Sequence, residues 1–555
     1  MHACTRYRCL ALFLSLWICV FANGCTTGKH LHNGPPGAPA GNTGGNVLRY
    51  ALTTEPTTLD PAKVEDGTTI DLLQQVFEGL VSWNERNEIA GNLAERWEVS
   101  PDGKIYTFYL KSGVKFHNGR EMTAEDFKYS LERACNPTLA SPTAPNYLKD
   151  IVGVDEVLSG KARSIRGVRV VAPHTLQIEI DRPRPYWLGN MTYPCSYVVC
   201  REEVEKHPRG DIDETNMVGT GPFKLGEFRR GYQVSLVANP DYHGGRPRLD
   251  GIVRPIIKEG ITRLNKYEAG ELDIVDVSPR DLERINNDPK LRADLKSFPR
   301  AAIWYLALNQ APEGSPFKDK RVRLAFAHAV DRDEVIRVAL KGQADKANGI
   351  IPPGVPGHNP EVRPIPYNPQ KARELLAQAG YPDGKGFPEL TLSFRQDLPQ
   401  VSQTAEVVAE QLKRNLNITV QLRPMEWGQF LRERSNKTMP FSHLRWGADY
   451  LDPQNFLSTL LHTSVRDAQG RESHPENGVG YSNPEFDRLC DAADVESDPE
   501  KRMALYRRAE QIAVDDAPWV PLYFQRDLEL VRSRVRNLRE SLAGHLPHTT
   551  TTVTP

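Results

Sequence analysis

Asp449 closes a short β-rich run, residues 441–446 (FSHLRW), and is followed by Tyr450. Open α/β sheets bind ligands outside the carboxyl ends of their strands. An ionised carboxylate there only accepts hydrogen bonds, which suits it to a cationic donor such as an ammonium. A loop aspartate also caps turns, so the position by itself makes Asp449 a candidate ligand contact and no more. Residues for covalent or acid–base chemistry are not marked in this way. The chain has no G-x-S-x-G elbow for a serine nucleophile, no G-x-x-x-x-G-K-[ST] cradle for phosphates and no H-E-x-x-H pair for zinc. Gly219-Thr-Gly221 is followed by Pro-Phe-Lys and lacks the third glycine of a dinucleotide loop, so it fits a turn. The 14 histidines are scattered, and His443 is alone on its strand. Spacing singles out no pair among the 71 acidic residues. The reading is therefore of a site that binds, with no catalytic residue, metal ligand set or cofactor indicated.

The elements that position Asp449 are the most clearly patterned part of the chain. Residues 390–394 read as a strand, 401–416 as a helix and 418–422 as a strand again. That is a βαβ unit with a right-handed crossover. A helix over 427–434 and the strand 441–446 follow. Elsewhere helices and strands alternate. Leu73, Val76, Phe77 and Leu80 lie on one face of a helix predicted over 69–80. Residues 105–110 (IYTFYL) form a strand. Thr123 with Asp126 opens a capped helix that buries Phe127 and Leu131. Asn368-Pro369 opens another, ended at Gly380. Asp498-Pro499 opens a third, with Met503, Tyr506, Ala509 and Ala513 in helical spacing and Pro518 after it.

A chain of 555 residues exceeds what one hydrophobic core holds, so two or three bodies are expected. Charged residues are 25% and hydrophobic residues 39%, with a formal net charge of −1. No basic stripe exists to hold a polyanion, which excludes nucleic acid as a partner. Arg6 and Arg8 precede an apolar run of 13 residues, 10–22 (LALFLSLWICVFA). That length falls short of a bilayer's hydrocarbon core and suits a signal peptide. It ends at Asn23-Gly24-Cys25, which resembles the cleavage box of bacterial lipoproteins; Cys25 is then the lipidation site, although Asn23 and Ala22 depart from the usual pattern. Residues 26–46 are rich in Gly, Pro and Asn without hydrophobic period, a linker composition. Of eight cysteines only Cys135, Cys195, Cys200 and Cys490 lie beyond this region; they match no zinc spacing, and disulfides among them stay open.

Residues 92–127 read NLAERWEVSPDGKIYTFYLKSGVKFHNGREMTAEDF. This resembles the signature of extracellular solute-binding proteins of the peptide and nickel class, which serve ABC importers. Leu59-Asp-Pro61, residues 77–80 (FEGL), 219–225 (GTGPFKL), Asn239-Pro240 with Tyr242, and 317–333 (FKDKRVRLAFAHAVDRD) extend the likeness over about residues 47–535. Within the class, Glu426-Trp427, Arg434 and Trp446-Gly-Ala-Asp449-Tyr450 resemble the ligand region of oligopeptide-binding proteins, with the two Trp residues 19 apart.

The resemblance implies an α/β fold of two lobes, type II among periplasmic binding proteins, with an added subdomain and the ligand between lobes. Lobe I is expected over 47–77, 213–305 and 526–547, the subdomain over 78–212 and lobe II over 306–525. It implies that Asp449 holds a peptide's α-ammonium and that Trp427 and Trp446 line side-chain pockets. Strand-like pairing with the peptide is implied near Glu65 to Gly67 and from Arg445 to Gly447, in the manner of β-augmentation. Arg434 completes the set. His443 stands where oligopeptide binders carry an Arg near the ligand; Val401 replaces a His, Ala307 a Glu and Gly447 a Cys of a structural disulfide. Residues 463–478 are an insertion beside the binding loop. The implied protein is a monomeric, lipid-anchored, exported importer component that hands oligopeptides to a permease. The alternatives are a receptor of the same class for a nickel complex, opine or sugar, or a secreted enzyme or adhesin.

Overall fold

Two long strands, Leu295–Leu308 and Trp519–Val531, run antiparallel from Leu295 opposite Leu530 to Ala307 opposite Trp519. Their register breaks between Pro299 and Ile303. Proline has no N–H for the ladder, so an interruption at Pro299 follows from the sequence. In this computed structural model, residues 45–466 and 472–554 are described. The leader, Cys25, all but the end of the linker, and residues 467–471 of the insertion lie outside the described residues. Among those described, no helix is long and apolar enough to cross a membrane.

The long strands are the centre of a seven-stranded mixed sheet. Its order is Ile274–Asp276, Trp519–Val531, Leu295–Leu308, Phe441–Gly447, Leu390–Arg395, Val420–Met425, with Ala344–Lys346 also paired to Trp519–Val531. The expected βαβ unit is present: Leu390–Arg395 lies parallel to Val420–Met425, and helix Pro399–Leu416 crosses between them. Phe441–Gly447 runs antiparallel to Leu295–Leu308, with Trp446 opposite Ile303. Both faces of this sheet are covered. Ile303, Tyr305 and Ala307 enter one apolar cluster, while Trp304, Leu306 and Leu308 enter another on the opposite face. A strand buried on both sides reads as an unbroken apolar run, which is why residues 301–308 (AAIWYLAL) show no alternation.

Two four-stranded sheets lie outside it. One has the order Val47–Arg49, Gly251–Pro255, Gln233–Ala238, Phe223–Arg229, its first pair parallel. The other joins Ala94–Val99, Ile105–Leu110, Thr175–Glu179 and Val168–Ala172 in that order. The boundaries expected at 305/306 and 525/526 both fall inside the long strands, which are continuous across them.

Several helix starts follow the sequence closely. Thr123 and Asp126 form a capping box on Ala124–Ala134. Asn368 caps Pro369–Gln378, and Asp498 caps Pro499–Asp516. The helix expected over 69–80 is shorter, Gly67–Leu73. Beyond it the backbone serves other partners. Gln75 and Val76 carbonyls accept from Phe223 and Gly221 at 2.9 Å, and the Glu78 carbonyl accepts from Val198 at 2.9 Å. The Glu78 carboxylate, 4% exposed, accepts from the Thr220 and Tyr242 hydroxyls at 2.9 Å. A helix through 80 would strand all of these groups. Cys135, Cys195, Cys200 and Cys490 are all free and buried.

Candidate functional site

Strand Phe441–Gly447 delivers Trp446 to one face and ends two residues before Asp449; the Ala448 N–H donates to the Ala301 carbonyl at 2.8 Å and ties that end down. Asn455, 1% exposed, then fixes the geometry. Its Oδ1 accepts from the Asp449 N–H at 3.0 Å and from Trp446 Nε1 at 3.1 Å, and its Nδ2 donates to Asp449 Oδ2 at 3.4 Å. One buried amide therefore orients both the indole and the carboxylate. The Asp452-Pro453 pair makes this possible by turning the chain into the short helix Pro453–Asn455, capped by Asp452.

Asp449 is half-buried, and burial pushes its pKa up to about 6. Asn455 and Tyr147 oppose that shift by hydrogen bonding, and Glu476 adds to it as a neighbouring anion. Tyr147 ends helix Ala144–Tyr147, and its ring stacks on Tyr193 at 3.8 Å. Glu65 acts electrostatically on Tyr193. Glu65 and Gly67 are both exposed, and Gly67 already belongs to helix Gly67–Leu73, capped by Asp66.

Arg434, near the end of helix Trp427–Ser435, joins the same group. Its guanidinium carbon lies 6.0 Å from the Trp446 ring, and its Nη2 is 2.7 Å from Glu476 Oε2. Arg445 Nε donates to Gln525 Oε1 at 2.6 Å. A Cβ on Gly447 would stand 2.8 Å from Arg445 Nη1, so the missing side chain is what lets the guanidinium fold over the strand end. Asp449, Trp446, Arg434, Arg445 and Gly447 are thus brought together.

Two candidates are placed differently. Trp427 is 39% exposed, with Arg395 over its ring at 4.1 Å and Phe430 stacked beside it at 5.9 Å. His443 is 1% exposed and packs at 5.2 Å on Trp304. Neither of its ring nitrogens has a well-formed hydrogen bond among the described residues, and burial lowers its pKa to about 3, so it is neutral. It offers an incoming ligand no atom as the sheet is packed. Val401 and Ala307 are core residues, 0% and 1% exposed.

Sequence reasoning does not reach Tyr147, Tyr193, Asn455 or Glu476. Asn455 carried one signal, the turn-forming Asp-Pro three residues before it. Glu476 carried another, its place in the 463–478 insertion. The tyrosines come from a distant stretch with no spacing relation to Asp449.

One further group has metal-ligand chemistry: oxygen atoms of Glu529 and Glu540 and a nitrogen of His545 lie within 4.8 Å of one another. Arg300 Nη1 sits 2.9 Å from Glu540, and His545 Nε2 sits 3.1 Å from Glu529 and 2.5 Å from Glu540. The acids already have cationic partners, so the set fits an ion-pair cluster rather than a cation site.

Comparison with known proteins agrees with this architecture. The family described as bacterial extracellular solute-binding proteins, family 5 Middle, matches residues 88–467. A probable deoxycholate-binding periplasmic protein, YgiS of Escherichia coli, is 31% identical, over 88% of this chain and 90% of its own. The dipeptide-binding protein DppE of Bacillus subtilis is 28% identical over 96% of each. Among solved structures, the murein tripeptide binding protein MppA of Escherichia coli superposes with a TM-score of 0.79 at 27% identity, covering 92% of this chain and 99% of that one. The fold is accordingly the two-lobed type II fold of periplasmic binding proteins.

Proposed function

The chain belongs to the bacterial extracellular solute-binding proteins of family 5, and from that premise we propose that it captures oligopeptides by their free amino terminus and delivers them to an ABC permease. It is a binding protein and not an enzyme. The observation that carries the peptide reading is Asp449, half-buried at a strand end and aimed by Asn455 beside Trp446. A carboxylate held in this way replaces the water shell of an ammonium with a fixed acceptor, and charge-assisted bonds of this type are among the stronger polar contacts. Trp446 offers an apolar face for the first side chain. The edge from Arg445 to Gly447 offers backbone groups to an extended ligand.

Removing one partner of a buried charge pair costs about 2–5 kcal/mol, or roughly 30- to several-thousand-fold in affinity. Asp449→Ala should weaken binding of a free tetrapeptide by that much. N-acetylating the peptide should cost a similar amount, and the two losses should not add, because both delete one interaction. Isothermal titration of wild type and Asp449→Ala with both peptides is the test. Equal binding of acetylated and free peptide by wild type would sink the amine anchor.

The lipid anchor belongs to the same proposal. The apolar run ending at Cys25 supports export with acylation of Cys25 and tethering through residues 26–46. Protein made with its leader should incorporate labelled fatty acid and sediment with membranes, and Cys25→Ser should release it.

A non-peptide solute is the second reading, favoured by the 31% identity to a probable deoxycholate-binding protein. A bile acid carries a carboxylate and no amine. Its recognition calls for an unpaired cation where Asp449 now adds an anion.

A further inference from the structure

Among the described residues of the 463–478 insertion, Glu476 reaches the site. Glu476 Oε2 lies 2.7 Å from Arg434 Nη2, and the same nitrogen donates to the Glu476 carbonyl at 3.4 Å. Arg434 in turn lies over Trp446 and within electrostatic reach of Asp449. We propose that Glu476 is a specificity-determining residue, an internal carboxylate that occupies Arg434 and so denies that guanidinium to carboxylates on the ligand. The proposal deepens the peptide reading and rests on it for the position of the amino terminus.

The geometry around Glu476 is fixed rather than incidental. Its neighbour Asn477 is completely buried. The Asn477 Nδ2 donates to the carbonyls of His462 at 3.0 Å and Tyr481 at 2.8 Å, and its Oδ1 accepts from the Tyr481 N–H at 3.2 Å. Upstream, Glu472 is paired with Lys437 at 2.7 Å and accepts from Ser464 Oγ at 3.2 Å. These anchors hold Glu476 against Arg434 before any ligand arrives. The charge balance shows what this does. Asp449, Arg434 and Glu476 sum to one negative charge, whereas Asp449 and Arg434 without Glu476 sum to zero. With Glu476 present Arg434 is matched and Asp449 is left for an ammonium, while Arg445, the other cation of the group, is turned to Gln525 and Asp527. Without Glu476, a guanidinium with five donors in a planar fork is left beside the amine anchor, the arrangement that takes carboxylates bidentately. An acidic first side chain is therefore excluded in the wild type and admitted when Glu476 is neutralised.

The test uses Glu476→Gln, with Glu476→Ala as a second variant in case the amide finds a new bond, and the double variant Arg434→Gln/Glu476→Gln. Three probes are titrated calorimetrically: Glu-Ala-Ala-Ala, Gln-Ala-Ala-Ala, and deoxycholate, a carboxylate with no amine. Wild type should prefer the Gln peptide. Glu476→Gln should shift the Glu:Gln affinity ratio towards Glu by about tenfold or more, the scale of one charge-assisted contact, and should bind deoxycholate more tightly than wild type. The double variant should lose both gains. If wild type binds neither tetrapeptide, the peptide reading falls, and the deoxycholate arm still decides the role of Glu476. An unchanged peptide ratio in a wild type that does bind, or an unchanged deoxycholate affinity where it does not, overturns the inference.

Discussion

The raised pKa of Asp449, about 6, follows from burial outweighing the bonds from Asn455 and Tyr147. It gives the pocket an acid limb. An ammonium needs the ionised carboxylate, so affinity should fall about tenfold per pH unit below 6 as Asp449 takes up a proton. A free α-amine loses its own proton above roughly pH 7.7–8.0, which supplies the alkaline limb. Peptide affinity should therefore peak between about pH 6 and 8. Asp449→Asn should flatten the acid limb and keep the alkaline one, by titration calorimetry across the range. Asn455 is a separate lever. Asn455→Ala removes the bonds that aim both Asp449 and Trp446, and it should weaken peptide binding by about 1–3 kcal/mol, the cost of unpaired buried groups. Tryptophan fluorescence should change in the unliganded protein as well. Asp449 was legible as a candidate ligand contact because a strand end and a motif converge on it. The groups that set its protonation were not legible, because a pKa depends on what folds beside a residue, and Tyr147 and Asn455 are brought there by other elements.

Helix Pro499–Asp516 shows how far pattern reading extends and where it stops. Its start at Asp498-Pro499 and the burial of Tyr506, Ala509 and Ala513 are as the spacing requires, while Met503 is only half-buried. The same face carries Glu510, 1% exposed, which an apolar periodicity gives no reason to bury. Its Oε1 accepts from the Ile350 and Ile351 N–H groups at 2.7 and 3.0 Å, and its Oε2 has no partner among the described residues. The acid serves two loop amides, those of Ile350 and Ile351. Burial pushes its pKa up to about 7, against those two hydrogen bonds. The folded state therefore holds a proton that the unfolded chain has lost between pH 4.5 and 7, and stability falls as pH rises through that window. Glu510→Gln keeps the acceptor and removes the titration. It should be near neutral at pH 5 and stabilising at pH 8 by on the order of 2–3 kcal/mol, at about 1.4 kcal/mol per pH unit. Urea unfolding at the two pH values checks this. The failed helix over 69–80 has the same lesson in reverse. Its apolar spacing is real, and Val76, Phe77 and Leu80 are buried, but long-range partners claim the backbone at Gln75, Val76 and Glu78.

At the scale of the molecule, a type II fold closes its lobes on a ligand. Small-angle scattering should show a smaller radius of gyration when a bound tetrapeptide is added to ligand-free protein, and no change for Asp449→Ala at the same concentration. Next to the break in the two long strands lies the cluster of Arg300, Glu529, Glu540 and His545. Burial opposes the charge on His545, but Glu529 and Glu540 outweigh it and hold the imidazole's pKa well above its usual value. The sign is that of a raised base: its stabilisation is full below about pH 6.5, the unfolded value, and is lost as pH rises through the folded one. His545→Gln should therefore cost about 2 kcal/mol near neutral pH, the scale of a hydrogen bond to a charged group. It should also flatten the decline in unfolding free energy on the alkaline side. The four body cysteines have a last consequence of a practical kind. All are buried, Cys200 among Asn118, Arg120 and Glu202 and the others with burial holding the Cys135 thiol up at about 12 and raising Cys195 and Cys490 also. Thiolates are the reactive form, so these sulfurs should ignore maleimides. A version of the protein begun after Cys25 is then a chemically silent background. A pair of dyes on cysteines introduced at exposed Tyr232 and exposed Val338 would be the sole fluorophores attached, and energy transfer between them could follow each opening and closing on single molecules.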